Sequence, residues 1–170
     1  MKRCVNEMKL SFPARGENEA FARACVSAFI AQLDPYVSEL AELKTAVSEA
    51  VTNSIVHGYR GRPDGIITMQ VRLFSDRRVY IRIRDKGCGI ADIDQAMQPL
   101  FTTAPEEERA GLGFSVMESF TDSLRVKSVR GRGTSLVMEK TLRERSGDES
   151  VKNGIPNKSG RKSGAGASVR

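Results

Sequence analysis

Two hydrophobic periods alternate along the chain, and the points where one gives way to the other predict its elements. From Asn6 to Phe12, Met8, Leu10 and Phe12 alternate with polar residues, the period of a half-buried strand, which Pro13 ends. From about Gly16 to Leu33 the period turns helical, with Phe21, Cys25, Ala28 and Phe29 on one side and Glu17, Glu19 and Arg23 elsewhere. Asp34-Pro35 reads as a cap followed by a first-turn proline, opening a second helix from about Ser38 to His57 that Gly58 stops. On that helix Leu40, Leu43, Val47, Ala50, Val51 and Ser54 gather on one face, while Glu49, Asn53 and His57, four residues apart, form one polar stripe.

After the turn-forming run Gly61-Arg62-Pro63-Asp64-Gly65, strict alternation returns. Ile67, Met69, Val71 and Leu73 make one strand, and beyond Ser75-Asp76-Arg77 the residues Val79, Ile81 and Ile83 make the next, an antiparallel hairpin with one buried face. Residues 91 to 98 allow a short helix, and 99 to 110, with two prolines and a charge cluster, read as a loop of functional length. Gly111-Leu112-Gly113 opens a helix of about ten residues carrying Phe114, Met117 and Phe120. Two last strands, near 123 to 129 and 134 to 142, flank the turn Arg130-Gly131-Arg132-Gly133. This order predicts an α+β fold: a two-layer sandwich whose mixed, mostly antiparallel sheet is covered on one face by helices.

Composition changes that picture at the C-terminus. The formal net charge is +6, but residues 143 to 170 hold seven Lys/Arg against three Asp/Glu, which leaves residues 1 to 142 nearly neutral. That tail is Ser, Gly, Lys and Arg with hardly an apolar residue, so it is expected to be disordered, and the domain is expected to span 1–142. A basic tail on a near-neutral body gives only weak support for DNA or RNA binding, no aromatic-rich basic face accompanies it, and no direct nucleic-acid partner is expected. Cys4, Cys25 and Cys88 form neither a CxxC pair nor zinc spacing, and no apolar run is long enough to span a membrane. The expectation is a reduced, cytoplasmic protein.

The candidate chemistry lies in short motifs. Asp85-x-Gly87-x-Gly89 follows a strand, where acid and glycine alone commonly make just a turn; its functional version has the carboxylate accept from an adenine amino group while the glycines permit close backbone approach. Gly111-Leu112-Gly113 stands at a helix start, where free N–H groups favour phosphate. Gly131-x-Gly133-Thr134 fits a hairpin turn. No Gly-Lys-Ser/Thr occurs and no parallel strand–helix–strand unit surrounds the glycines, so Walker and dinucleotide-binding readings fall away. What remains is the ordered set of Glu49 with Asn53, then Asp-x-Gly-x-Gly, then Gly-x-Gly before a helix, then Gly-x-Gly-Thr.

With that set the chain resembles the GHKL ATPases, which share the Bergerat ATP-binding fold, and more closely the anti-sigma serine kinases. The resemblance runs from about residue 5 to 142. Its carriers are Glu17-Asn18-Glu19-Ala20-Phe21-Ala22-Arg23, Ala31-Gln32-Leu33-Asp34-Pro35, Ser48-Glu49-Ala50-Val51-Thr52-Asn53 with His57-Gly58-Tyr59, Pro99-Leu100-Phe101-Thr102-Thr103, and Gly111-Leu112-Gly113-Phe114. It implies an ATP-dependent serine kinase that sequesters a sporulation sigma factor of the sigma-F type and phosphorylates a serine of its anti-anti-sigma antagonist. A homodimer is implied too. In that family's terms Glu49 is the catalytic base and Asn53 the Mg2+ ligand, while Asp85, Gly87, Gly89, Thr103, Arg109, Gly111, Gly113 and Thr134 serve ATP. Arg109 is placed to reach a γ-phosphate or, equally, to pair with the glutamates before it. Arg23 matches the position that engages both protein partners, and His57 is expected to pack or cap rather than catalyse. The alternatives are a nucleotide-gated sigma-binding protein with little kinase activity and a histidine-kinase-like ATPase domain, although the chain's single histidine lies inside the Asn53 helix.

Overall fold

The computed structural model describes residues 3–98 and 112–144. The expected loop at 99–110, with Thr103 and Arg109, then Gly111 and the tail from residue 145 lie outside the described residues.

Alternation becomes sheet where the pattern predicts it. Strands β1 (Cys4–Pro13), β2 (Ile66–Phe74), β3 (Arg78–Arg84), β4 (Ser123–Val129) and β5 (Gly133–Thr141) form one five-stranded sheet in the order β1-β2-β3-β5-β4. Every pairing is antiparallel. One row shows how the register sorts side chains by face: Met8 lies opposite Val71, Val71 opposite Ile81, Ile81 opposite Met138, and Met138 opposite Leu124. Because the side-chain period is two, that apolar row fixes every intervening residue on the other face.

Helices α1 (Glu17–Ile30), α2 (Val37–Asn53) and α4 (Gly113–Phe120) pack together over the apolar face, with α2 between the other two, and a short α3 (Ile93–Ala96) precedes the undescribed segment. Ala22, Val26 and Ile30 of α1 and Leu43, Ala46, Val47, Ala50 and Val51 of α2 are buried in the layer between helices and sheet. The α+β sandwich with one helical face is the architecture that the periods imply.

Two boundaries differ from the sequence reading, each for a local reason. Asp34 does not cap α2; it adopts a left-handed conformation (φ 46°) that ends the single 3-10 turn Ala31–Leu33 following α1. The N-cap is Tyr36, whose N–H donates to the Glu39 carboxylate at 2.9 Å, and Pro35 precedes the helix instead of opening it. At the other end the α-helix stops at Asn53 and widens into a π-turn over Ser54–Gly58, closed by Tyr59 N–H to the Ser54 carbonyl at 2.9 Å. Widening of this kind is typical of helices distorted at functional positions, and here the Ser54 hydroxyl competes for the Ala50 carbonyl at 3.3 Å.

Candidate functional site

The antiparallel order brings four segments to one end of the molecule: the π-turn after α2, the residues leaving β3, the turn entering β5, and the start of α4. Between them lies a cleft of about 900 Å³, within the size range of small-molecule sites. Asn53, His57, Asp85, Gly89, Gly113 and Thr134 all line it, and Ile83, Phe114 and Leu136 supply an apolar wall.

Asp85 is the best-anchored polar group of the cleft. It is 4% exposed, and a carboxylate removed from water to that degree requires donors. Its Oδ1 accepts the N–H groups of Gly87 at 2.9 Å and Thr134 at 3.2 Å, and its Oδ2 accepts the Ser54 hydroxyl at 3.2 Å. The backbone adds a bond from the Asp85 N–H to the Thr134 carbonyl at 3.0 Å. Asp85 thus joins three of the four segments, and its position is set by β3, by the β5 turn and by the π-turn together.

The two motif glycines are needed first for the protein's own backbone. A Cβ on Gly87 would stand 2.2 Å from the Gly58 carbonyl oxygen, and one on Gly89, whose φ is +70°, would stand 2.2 Å from that of Val129. The Cys88 N–H donates to the Gly58 carbonyl at 2.8 Å, and the Gly131 N–H to the Cys88 carbonyl. The Asp-x-Gly-x-Gly turn is therefore clamped between the end of the α2 segment and the β4–β5 turn. Close approach was expected on the ligand side; the structure shows it on the protein side, with Gly89 also facing the cleft.

Glu49 and Asn53 lie one turn apart on α2 and meet the beginning of α4. A Cβ built on Gly113 would sit 3.1 Å from Glu49 Oε2 and 3.3 Å from Asn53 Nδ2. A glycine is what lets the helix start approach these side chains so closely. Both are partly covered, and Asn53 faces the cleft. Thr134 also bonds through its hydroxyl to Ser128 Oγ at 2.8 Å, and Ser128 accepts the Ile90 N–H at 2.8 Å, so the far wall is tied across β4 and β5.

Not every stripe residue plays the same part. The carbonyl of His57 accepts the Cys88 thiol at 3.0 Å while the residue lines the cleft from within the π-turn. Arg23 belongs to another surface: it stands on α1, its Nη1 3.7 Å from Glu19 Oε1, and the same Glu19 carboxylate accepts the Ser48 hydroxyl.

Sequence reasoning misses several participants. Ser54, assigned to the apolar face, is buried and bonds Asp85; a serine in an otherwise apolar stripe is the signal that could have found it. Tyr59 is 4% exposed, donates its hydroxyl to the Ile66 carbonyl at 2.7 Å and accepts the Lys86 N–H at 2.8 Å. Arg60 and Arg130 line the cleft too, cations that no motif singles out. Among the described residues no cluster of three or more His, Cys, Asp or Glu could hold a metal. A cation at this site would therefore rely on the Asn53 amide oxygen, phosphate oxygens and water, a donor set that suits Mg2+. No helix of the described residues is long and apolar enough to cross a membrane.

Comparison with known proteins bears on this arrangement. Residues 12–140 match the family described as the histidine kinase-like ATPase domain. An anti-sigma F factor of Geobacillus thermodenitrificans is 55% identical over 137 residues, covering 81% of this chain and 93% of the relative. One from Clostridium beijerinckii is 53% identical over 135 residues, covering 79% of this chain and 94% of the relative. Among solved structures, the RsbU and RsbW domains of Rv1364c from Mycobacterium tuberculosis share the fold at a TM-score of 0.59 and 21% identity, over 81% of this chain and 32% of that one. The ATP-binding fold that the cleft suggests and the near-full-length match agree, and the chain belongs to the histidine kinase-like ATPase domain family and, within it, to the anti-sigma F factors.

Proposed function

We propose that this chain is an ATP-dependent protein serine kinase and anti-sigma factor, which holds a sporulation sigma factor of the sigma-F type while ATP is bound and phosphorylates a serine of the anti-anti-sigma antagonist. The observation that carries the catalytic part is the close approach of Gly113, where a Cβ would meet both Glu49 and Asn53, because it sets a carboxylate and an amide against a helix start that can receive phosphates. The adenine amino group is accepted by Asp85 in the apolar end of the cleft, beside Thr134. Triphosphate then runs towards the Gly113 end.

In the transfer step the substrate serine Oγ forms a bond to the γ-phosphorus as the bond from that phosphorus to the β,γ-bridging oxygen breaks, and ADP leaves. Glu49 takes the serine proton, a role contributing roughly 10²- to 10⁴-fold. The larger share of catalysis comes from positioning and charge neutralisation. Asn53 would hold Mg2+ through its amide oxygen, and the ion would supply neutralisation of the β- and γ-phosphates. Arg109 is assigned to the γ-phosphate, Gly111 with Gly113 to the phosphates, and Thr103 to ATP. Arg23, partly exposed on α1 away from the cleft, is assigned to the protein partners, and the working unit is a cytoplasmic homodimer.

The test is transfer of label from [γ-32P]ATP to a candidate antagonist, run beside sigma-factor pull-down with and without ATP. Label on a single serine and ATP-dependent capture are expected. Tight capture with no transfer would leave a nucleotide-gated binder and remove the kinase.

A further inference from the structure

The sheet face turned away from the helices bears a charge pattern that the cleft does not use. The register places Glu7, Arg72, Tyr80 and Glu139 in one outward row across β1, β2, β3 and β5. Two carboxylates pair with the four cations of this half: Glu7 with Lys9 at 2.8 Å and Arg72 at 2.6 Å, and Glu139 with Arg78 at 2.7 Å and with Arg125. The other half, with Thr68 opposite Arg84, Arg84 opposite Ser135 and Ser135 opposite Lys127, has no carboxylate in its row. Arg82 extends it one row over, its Nε donating to the Ser135 hydroxyl at 3.1 Å. Among the described residues Arg82, Arg84 and Lys127 have no ion-pair partner. At the border of this half a second hollow, of about 540 Å³, opens beside Tyr59 and Thr68, ringed by Arg62, Arg84 and Lys86 with Asp64 as its one acid.

We propose that this uncompensated half of the sheet is a docking surface for an acidic segment of a partner protein, with an Asp or Glu side chain entering the Arg62–Arg84–Lys86 hollow. Size argues for a segment. Five strands about 4.8 Å apart and about 20–24 Å long make a whole face of roughly 500 Å², of which this half is about 250 Å², well below the roughly 800 Å² per partner of a standard interface. Charge argues against a second copy, because isologous stacking would set the same cations against one another. It also argues against a nucleic acid. Tyr80 lies under the Arg72 guanidinium and Phe74 under that of Arg78, so no free ring offers a stacking platform, and Glu7 and Glu139 would face phosphates. Arginines set among hydroxyls and a few aliphatic groups such as Val137 are the composition of a protein interface. Docking there is steered by charge and weakens with salt.

The test uses the full chain and a fluorescein-labelled dodecapeptide rich in Asp and Glu, read by anisotropy at low and physiological salt. Saturable binding is expected, weakened at least tenfold by Arg82→Glu with Lys127→Glu, while Arg161→Glu with Lys162→Glu, an equal charge reversal in the tail, leaves it within a factor of two. ATP binding and the thermal transition of the sheet variant check that it is folded, and Arg82→Gln with Lys127→Gln serves as the milder pair if it is not. Four results would overturn the proposal: no saturable binding, equal loss in the tail variant, an oligonucleotide of matched charge binding more tightly than the peptide, or a changed oligomeric state in the sheet variant.

Discussion

Glu49 and Asn53 are only partly covered, so their side chains can be altered without opening the core that Val47, Ala50 and Val51 fill on the other side of α2. Glu49→Gln keeps the shape beside Gly113 and removes the proton acceptor. Transfer to the antagonist serine should fall by roughly 10²- to 10⁴-fold, with ATP affinity within a few-fold of the parent by calorimetry; unchanged turnover would exclude Glu49 as the base. Asp85 behaves differently because the proposed function gives it the ligand as well as the fold to serve. Asp85→Asn places an NH2 group where an oxygen now accepts, against Gly87 and Thr134 N–H or against the Ser54 hydroxyl. ATP affinity should drop by about ten- to a hundredfold and stability by about 1–3 kcal/mol, the first read by titration with a fluorescent nucleotide and the second by urea unfolding. Gly87→Ala isolates the fold from the ligand: its Cβ has no room against the Gly58 carbonyl, and about 3 kcal/mol of destabilisation is expected in the same unfolding experiment.

At the scale of elements, α2 is fixed at both ends. Its C-terminal π-turn is docked on the Asp85–Gly89 turn, and its first turn is latched to the end of β5. Glu39, 2% exposed, accepts the Tyr36 N–H at 2.9 Å, the Arg143 N–H at 2.8 Å and the Arg143 Nε at 3.2 Å, while the Arg143 guanidinium lies 4.6 Å from the centre of the Tyr36 ring. Burial pushes the Glu39 carboxyl up, but hydrogen bonds from Arg143 and Tyr36 and the nearby guanidinium outweigh it, leaving the group below its ordinary 4.5. A carboxyl lowered in the folded state stabilises it fully above the unfolded value, and that contribution is lost as pH falls through the folded one. Glu39→Gln should therefore cost about 1–2 kcal/mol at pH 7, and the gap from the parent should narrow below about pH 4.5 in denaturant titrations across pH; a gap that stays constant would refute the assignment. The latch also shows what the sequence conceals. The strands and α1 are legible because each keeps one period over its length, and the Glu49–Asn53 spacing is legible because one α-helical turn separates them. The Tyr36 cap, the π-turn and the Ser54–Asp85 bond are not, because each is decided by a partner distant in sequence: Asp85 for Ser54, and Arg143 for the Glu39 that completes the cap. Leu142 is buried and Arg143 closes the latch, so the folded body reaches past the composition break at 142.

For the whole molecule, the cleft lies where both layers end, so a ligand filling it contacts α2, α4, β3 and the β5 turn at once and should stabilise all of them together. ATP at a hundredfold excess over its dissociation constant adds about 2.7 kcal/mol, which for a chain of this length is a rise of about 5–11 °C in Tm. How much of that rise depends on Mg2+ is a separate question that Asn53 can answer. No carboxylate cluster is available to bind the ion alone among the described residues, so the ion should enter with the nucleotide, its coordination completed by phosphates, water and one amide oxygen. Mg2+ without nucleotide should leave Tm unchanged. With ATP present, chelation by EDTA should remove part of the rise in the parent, whereas Asn53→Ala should show the smaller rise whether or not EDTA is added. Differential scanning calorimetry with ATP, with and without chelator, separates these cases, and a parent whose rise is indifferent to EDTA would show that nucleotide binding here needs no cation and that Asn53 serves the phosphates directly.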